Sequence, residues 1–309
     1  MIRLLASRLV GMAVVLLLVI TLAFFLMRSL PGGPFDTERE MPPEIRANIL
    51  AAYDLDAPLH EQYTRYLGDV VLRGDLGPSL KYRDYRVSEI LAESLPVSVL
   101  LGLLALLVAL GLGLPAGALA ASKRNGWLDT FVMGAATLGM AVPNFVLAGL
   151  LVLLFVFQWT LFPVAGMTGP SSLVLPAFAL GLPFAASIAR LFRAGLLEVL
   201  GEDWIRTARA KGLAPARVLL GHAARPALLP VVSYLGPAIA GILSGSLVVE
   251  RIFAIAGMGG HFVDSAFNAD YNLALGVVIV YTTLVYSLNL GVDLAYALLD
   301  PRIEVGAST

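Results

Sequence analysis

"RTARAKGLAPARVLLGHAARPALLP", residues 206–230, is a basic segment in a chain that is otherwise mostly apolar. It holds five Lys/Arg and no acid. The 309 residues of the chain are 58% hydrophobic and only 14% charged, where a soluble domain carries about 25% charged residues. A soluble fold of this length lacks the interior to hide so much apolar surface. The chain therefore reads as an all-α polytopic membrane protein. Its net charge of −1 gives no sign of a nucleic-acid partner. With no cysteine, it has neither disulfides nor thiolate metal sites.

A spanning helix needs about 20 predominantly apolar residues. Six stretches qualify: 9–27, 95–121, 131–157, 172–191, 227–249 and 274–299. The first is too long for a signal-peptide core, and Phe24-Phe25-Leu26-Met27-Arg28 offers no small-residue cleavage site, so it reads as a retained helix. Charge in the short connections sets orientation. One side collects twelve Lys/Arg: Arg3 and Arg8, Lys123 and Arg124, seven from Arg190 at the end of span four to Arg225 before span five, and Arg302. The opposite short loops, 158–171 and 250–273, hold only Arg251. Both termini and the basic segment are thus expected on the cytoplasmic side, and residues 28–94 outside. The expected division is 1–93, a first spanning helix with an external loop, and 94–305, a five-helix core.

Gly111, Gly113, Gly117, Gly134 and Gly139 would let helices approach closely in lipid. Pro115, Pro143, Pro183 and Pro237 would bend or break their helices. In the outer loop, Leu59, Tyr63, Tyr66, Leu67, Val70 and Val71 recur at helical spacing. That amphipathic helix could lie on the lipid interface or cap the bundle. Gly74-Asp75-Leu76-Gly77-Pro78 ends it as a turn.

Enzyme readings find little support. The three histidines, His60, His222 and His261, fall on different sides, and no HExxH, G-x-S-x-G or P-loop pattern occurs. The spans hold almost no acid. Asp293 reads as the deepest, paired toward Arg302 or the interface rather than relaying protons. A proton-coupled carrier is poorly supported, so energy for transport would come from elsewhere.

The basic segment has internal punctuation. Asp203 is placed to cap a helix from Trp204 through Lys211, with Arg209 and Lys211 in its last turn. Gly212 is a natural C-terminal cap. Pro215 can open a second helix running to about Ala224, and Pro226 interrupts it before span five. A plain positive loop against headgroups is the simpler alternative. The spacing of caps points instead to a rigid knob that an attached motor could push.

"EDWIRTARAKGLAPARVLLGHAARPALLPVVSYLGP" resembles the cytoplasmic EAA loop of ABC importer permeases, in the peptide/nickel branch that includes oligopeptide permeases. Of the general Glu-Ala-Ala…Gly pattern, Arg206 and Thr207 replace the first two residues, and Ala208 and Gly212 are kept. "YDLDAPLHEQYTRYL", "GDLGPSLKYRDYRV", "VPNF" (142–145), "SLVVERIF" (246–253) and "DLAYALLDPRI" (293–303) are similar to the same branch. One departure follows span five, where Ala256 stands before Gly257-Met258-Gly259 in place of the usual proline.

The resemblance implies the fold of a type I ABC importer transmembrane domain in a bacterial inner membrane. It implies a second, similar permease, two ATPase subunits and an extracytoplasmic solute-binding protein as partners. ATP and Mg would be handled by those ATPases, with no cofactor on this chain. The cargo would be oligopeptides, with dipeptides, glutathione or nickel as alternatives inside the family, and a free-standing channel or carrier outside it. Within the loop of about 198–226, the implied ATPase contact comprises Arg206, Thr207, Ala208, Arg209, Ala210, Lys211, Gly212 and Leu213, with Ala208 and Ala210 permitting close approach. Polar residues in spans with no other evident role are candidates for the substrate path: Asn144, Ser187, Ser233, Tyr234, Ser244 and Asn289. For each, an interhelical hydrogen bond is the competing reading.

Overall fold

The computed structural model describes residues 2–29, 55–82, 84–163 and 165–299, with isolated positions at 44, 48, 50, 51 and 53. Arg302 and the rest of the chain beyond Leu299 lie outside the described residues, as does most of 30–54. Among the described residues, regular structure is helical apart from one bridge between Pro78 and Arg86. The helices are α1 (Ile2–Ser29), α2 (Leu59–Gly68), α3 (Val87–Ser122), α4 (Trp127–Ala141), α5 (Asn144–Val152), α6 (Val174–Val199), α7 (Asp203–Ala210), α8 (Pro215–Arg217), α9 (Ala224–Ala227), α10 (Leu229–Ile252), α11 (Met258–Phe267) and α12 (Tyr271–Leu299). Widened π turns continue α2 to Arg73, continue α5 to Gln158 and link α8 to α9.

Five stretches are single helices long and apolar enough to span a bilayer: Leu5–Ser29, Val87–Ser122, Pro170–Val199, Leu229–Ile252 and Tyr271–Tyr296. The third expected span, 131–157, is not one helix. It is the pair α4 and α5, bent by 103°. The cause is local. Val142, before a proline, is pushed into extended backbone (φ −83, ψ 122), and Pro143 (φ −60, ψ 143) cannot donate to the carbonyl behind it. Of the four prolines expected to disturb helices, only Pro143 breaks one. Backbone remains helical through Pro115, Pro183 and Pro237.

The described chain forms two compact units. The first comprises the described residues of 2–4, 98–256 and 285–299. Its core gathers Ile188, Phe192 and Leu196 of α6 with Ile205 and Ala208 of α7, Val218, Ala223, and Ala227 of α9. Small residues set the helix distances there. A Cβ added to Gly195 would stand 2.8 Å from the Ala227 carbonyl oxygen, so α6 and α9 meet backbone to backbone.

The second unit comprises the described residues of 5–97 and 257–284. Here α2 buries Gln62 and Tyr66, and packs Tyr63, Leu67 and Val70 with Ile20 and Phe24 of α1 and with Leu275 of α12. The outer helix thus packs on α1 and α12 through its apolar face. Thr21 and Tyr63 share a hydroxyl hydrogen bond of 2.7 Å. Arg28 Nε donates to Gln62 Oε1 at 2.9 Å, with its guanidinium 3.8 Å from the Phe24 ring centre. The turn after α2 falls where the sequence places it, at Gly74 with φ +65. Beyond it, buried Asp270 at the start of α12 accepts hydrogen bonds from the Ser79 hydroxyl, the Leu80 amide (3.1 Å), the Lys81 amide (3.3 Å) and the Leu273 amide (3.2 Å).

Candidate coupling site

The basic segment folds as two helical pieces around Gly212, but the first cap differs from expectation. Helix α7 starts at Asp203, one residue early, with Glu202 at the cap position and no side-chain cap bond. Asp203 instead pairs with Arg206 at 3.1 Å on an exposed surface. Its first-turn position still places negative charge near the helix N-terminus, where the dipole favours it. The other end matches. Gly212 has φ +78, its amide donates to the Arg209 carbonyl at 2.9 Å, and the Leu213 amide reaches the Ala208 carbonyl at 3.5 Å. This pair of bonds is a Schellman closure, which satisfies the last carbonyls of α7 and needs a left-handed residue at its turn.

Pro215 opens the second piece at its first turn, as its fixed φ and missing N–H allow. The expected stop at Pro226 does not occur. Backbone stays helical through Pro226 to Ala227, and the break falls at Leu228. The π turns over Val218–Ala223 lie just where the Pro226 ring would crowd the carbonyl four residues back.

Helix α7 divides into two faces. Ile205 and Ala208, three residues apart, are buried against α6, and Leu213 packs half-buried beside them. Arg206, Thr207, Arg209, Ala210, Lys211 and Gly212 are exposed, together with Trp204. Ala208, expected to permit close approach by another protein, is therefore turned into this chain's own core, and Leu213 only partly escapes it. The outward face of α7 and its closing turn consists of the exposed six with Trp204. Neither the charge pattern nor the small-residue spacing marks that exposed tryptophan. Burying Ile205 in full is worth about 2 kcal/mol, which moors a short helix that would be marginal alone.

The six candidate path residues separate into three kinds. Ser233 and Ser244 are exposed on α10, along one face with Pro237 and Val248. Asn144 and Asn289 sit against glycine notches of α10: Cβ positions built on Gly245 and Gly236 would press on their side-chain amides. Ser187 and Tyr234 are half-buried in the bundle, Tyr234 against the buried cluster that α6 and α7 share. The expected interhelical bonds are not what the described contacts contain. Ser187 donates to the Pro183 carbonyl, Ser233 to that of Leu229, Ser244 to that of Gly241 and Asn289 to that of Val285, each within its own helix.

The sequence reading also missed where charge is buried. Asp293 is half-buried, whereas Asp129, Glu250 and Asp270 are buried. Arg193, counted as a loop cation, lies on α6 and binds Asp129 of α4 bidentately, at 2.6 and 2.7 Å. The signal available was weak: an acid at the third helical position after Asn125-Gly126, a common place for an acid.

A bundle of apolar helices with one elbowed span and a moored, basic, outward-facing helix is the build of a polytopic membrane protein. Residues 113–305 match the family described as "Binding-protein-dependent transport system inner membrane component", and residues 1–101 match the N-terminal family of the same membrane components. The chain is 45% identical to the oligopeptide transport system permease protein OppB of Haemophilus influenzae, over 98% of this chain and 100% of that one. It is 46% identical to OppB of Escherichia coli K12, over 94% and 95%. It is 44% identical to the dipeptide transport system permease protein DppB of Bacillus subtilis, over 99% of each. Its fold matches a chain of the inward-facing MetNI methionine ABC transporter with TM-score 0.59 and 16% identity, over 69% of this chain and 97% of that one. The chain belongs to the binding-protein-dependent ABC importer permeases and is a multi-pass protein of the bacterial inner membrane.

Proposed function

We propose that this chain is half of the membrane path of an ATP-driven oligopeptide importer. It pairs with a second, similar permease, sits on two ATPase subunits that hydrolyse ATP with Mg, and receives peptide from an extracytoplasmic binding protein. Full-length identity of 45% to an oligopeptide permease supports the cargo. One structural observation supports the coupling role. Helix α7 is moored by Ile205 and Ala208 while Arg206, Thr207, Arg209, Ala210, Lys211 and Gly212 remain on its open side. A helix held on one face and free on the other can pass a push from an ATPase groove into α6. The chain itself contributes no ATP-hydrolysing residue in this reading.

Peptide passes along the open face of α10, where Ser233 and Ser244 present hydroxyls between apolar neighbours. Few and weakly directional polar groups suit cargo of varied side chains. The dipeptide relative at 44% identity favours a second reading in which the cargo is shorter. Reconstitution decides both points. The tagged chain, expressed with its genomic neighbours, should bring down P-loop ATPases and a second permease, and proteoliposomes with the binding protein should import penta- or hexapeptides in preference to dipeptides. Purification without ATPases would overturn the importer reading, and preference for dipeptides would overturn the oligopeptide one.

A further inference from the structure

We infer that Asp129 and Arg193 form a strut that makes the elbowed span follow the coupling segment. The inference rests on the coupling reading above. Asp129 is 4% exposed, and both its oxygens are engaged by Arg193, through Nε at 2.6 Å and a terminal nitrogen at 2.7 Å. The Asn125 amide adds a third bond at 2.9 Å, so the carboxylate also ties the turn before α4 to its first helical turn. A planar two-bond fork fixes orientation as well as distance. Apolar contacts between the same helices would allow sliding. Burying an ion pair is often no more stabilising than apolar packing of the same volume, so such a pair is better suited to setting geometry than to adding stability.

Position gives the pair its task. On α6, Arg193 lies between Phe192 and Leu196, which pack with Ile205 and Ala208 of the coupling helix. The third helix is locked to the same point. A Cβ on Gly117 of α3 would stand 2.6 Å from the Ala189 carbonyl oxygen and 3.2 Å from the Arg193 amide nitrogen. At its other end, α4 meets the 103° bend, and Asn144 after the bend rests on Gly245 of α10. The strut therefore connects the moored end of the coupling helix to the elbow, and the elbow to the open helix α10. Asp129 and Arg193 bond each other and the turn before α4, and act through the helices they join. They are positioning residues.

The test uses the assembled importer in proteoliposomes, with the partner subunits unaltered. Asp129→Asn and Arg193→Gln should each lower peptide imported per ATP hydrolysed at least fivefold, and the reciprocal pair Asp129→Arg with Arg193→Asp should recover most of it. The chain has no cysteine, so nitroxides can be placed at the exposed positions Thr137 of α4 and Arg190 of α6. Their separation should stay constant between nucleotide-free and ATP-bound states in the parent and become nucleotide-dependent in Asp129→Asn. Import per ATP within twofold of the parent, or a separation that stays constant in Asp129→Asn, overturns the strut. If neither single variant assembles, Asp129→Glu keeps the charge and shifts the fork by one methylene, and unaltered import per ATP there overturns it equally. Gly212→Pro separates the two readings. If that variant also imports normally per ATP, the coupling reading has failed. If it uncouples while Asp129→Asn does not, the strut alone has failed.

Discussion

Ala208, near the C-terminal end of α7, packs into the same buried cluster as Leu196 of α6. Ala210, two residues on, is exposed. The two alanines therefore fail in different ways when enlarged. Ala208→Leu overpacks the cluster and should cost about 1–3 kcal/mol, seen as a lower melting temperature of the isolated chain in detergent. Ala210→Leu should leave that temperature within a degree or two and reduce co-purification of the ATPases. Equal melting of the two variants would contradict the inward placement of Ala208.

Gly212 offers a sharper lesion. Its φ of +78 and its amide bond to Arg209 are both closed to proline, whose φ is fixed near −65° and which has no N–H. Gly212→Pro should insert into the membrane and co-purify with its partner permease, yet import less than a tenth as much peptide per ATP as the parent. Gly212→Ala keeps the amide and should cost only about 1 kcal/mol, with import largely preserved. Transport assays on both variants check the pair, and normal import by the proline variant would sink the proposal for this turn.

The six apolar runs could be read directly because lipid demands about 20 such residues in a row. The Gly212 cap and the Pro215 start could be read for a similar reason, since each is decided by the backbone preference of one residue. The elbow was only half visible. Pro115, Pro143, Pro183 and Pro237 look alike locally, and only Pro143 breaks its helix. The inward turn of Ala208 was in principle legible from its spacing to Ile205. The Asp129–Arg193 pair joins residues 64 positions apart, and no local pattern announces such a partner. The same holds for Asp270, whose bonds to Leu80 and Lys81 cross about 190 residues of chain.

Asp270 holds the turn after α2 and the first turn of α12 with one carboxylate. Asp270→Ala would leave buried amides at Leu80 and Leu273 without acceptors, at about 1–3 kcal/mol each. Hydrogen exchange should show the loss as faster exchange of amides 79–82 and 273–274, with amides of α7 unchanged. Asp270→Asn keeps two acceptor lone pairs and should be affected less. Uniform acceleration across the whole chain, or none, would argue against a local latch.

His261, in α11, is half-buried beside Tyr82, with their ring centres 6.1 Å apart, and its Nδ1 is buried without a partner. Burial pushes its imidazole below the ordinary value of 6.5, against the smaller opposing pulls of Asp264 and Glu93. The folded chain therefore binds fewer protons here than the unfolded chain once pH falls below about 6.5. The stability lent by a neutral His261 is present above that pH and declines as pH drops through 6.5 and below. Amide exchange is base-catalysed and slows as pH falls, so exchange at amides 258–267 should slow between pH 7.5 and pH 5 by less than the intrinsic chemistry requires, the excess rate marking lost protection. His261→Gln, which cannot protonate, should remove that excess. An excess that survives the substitution would place the pH response elsewhere.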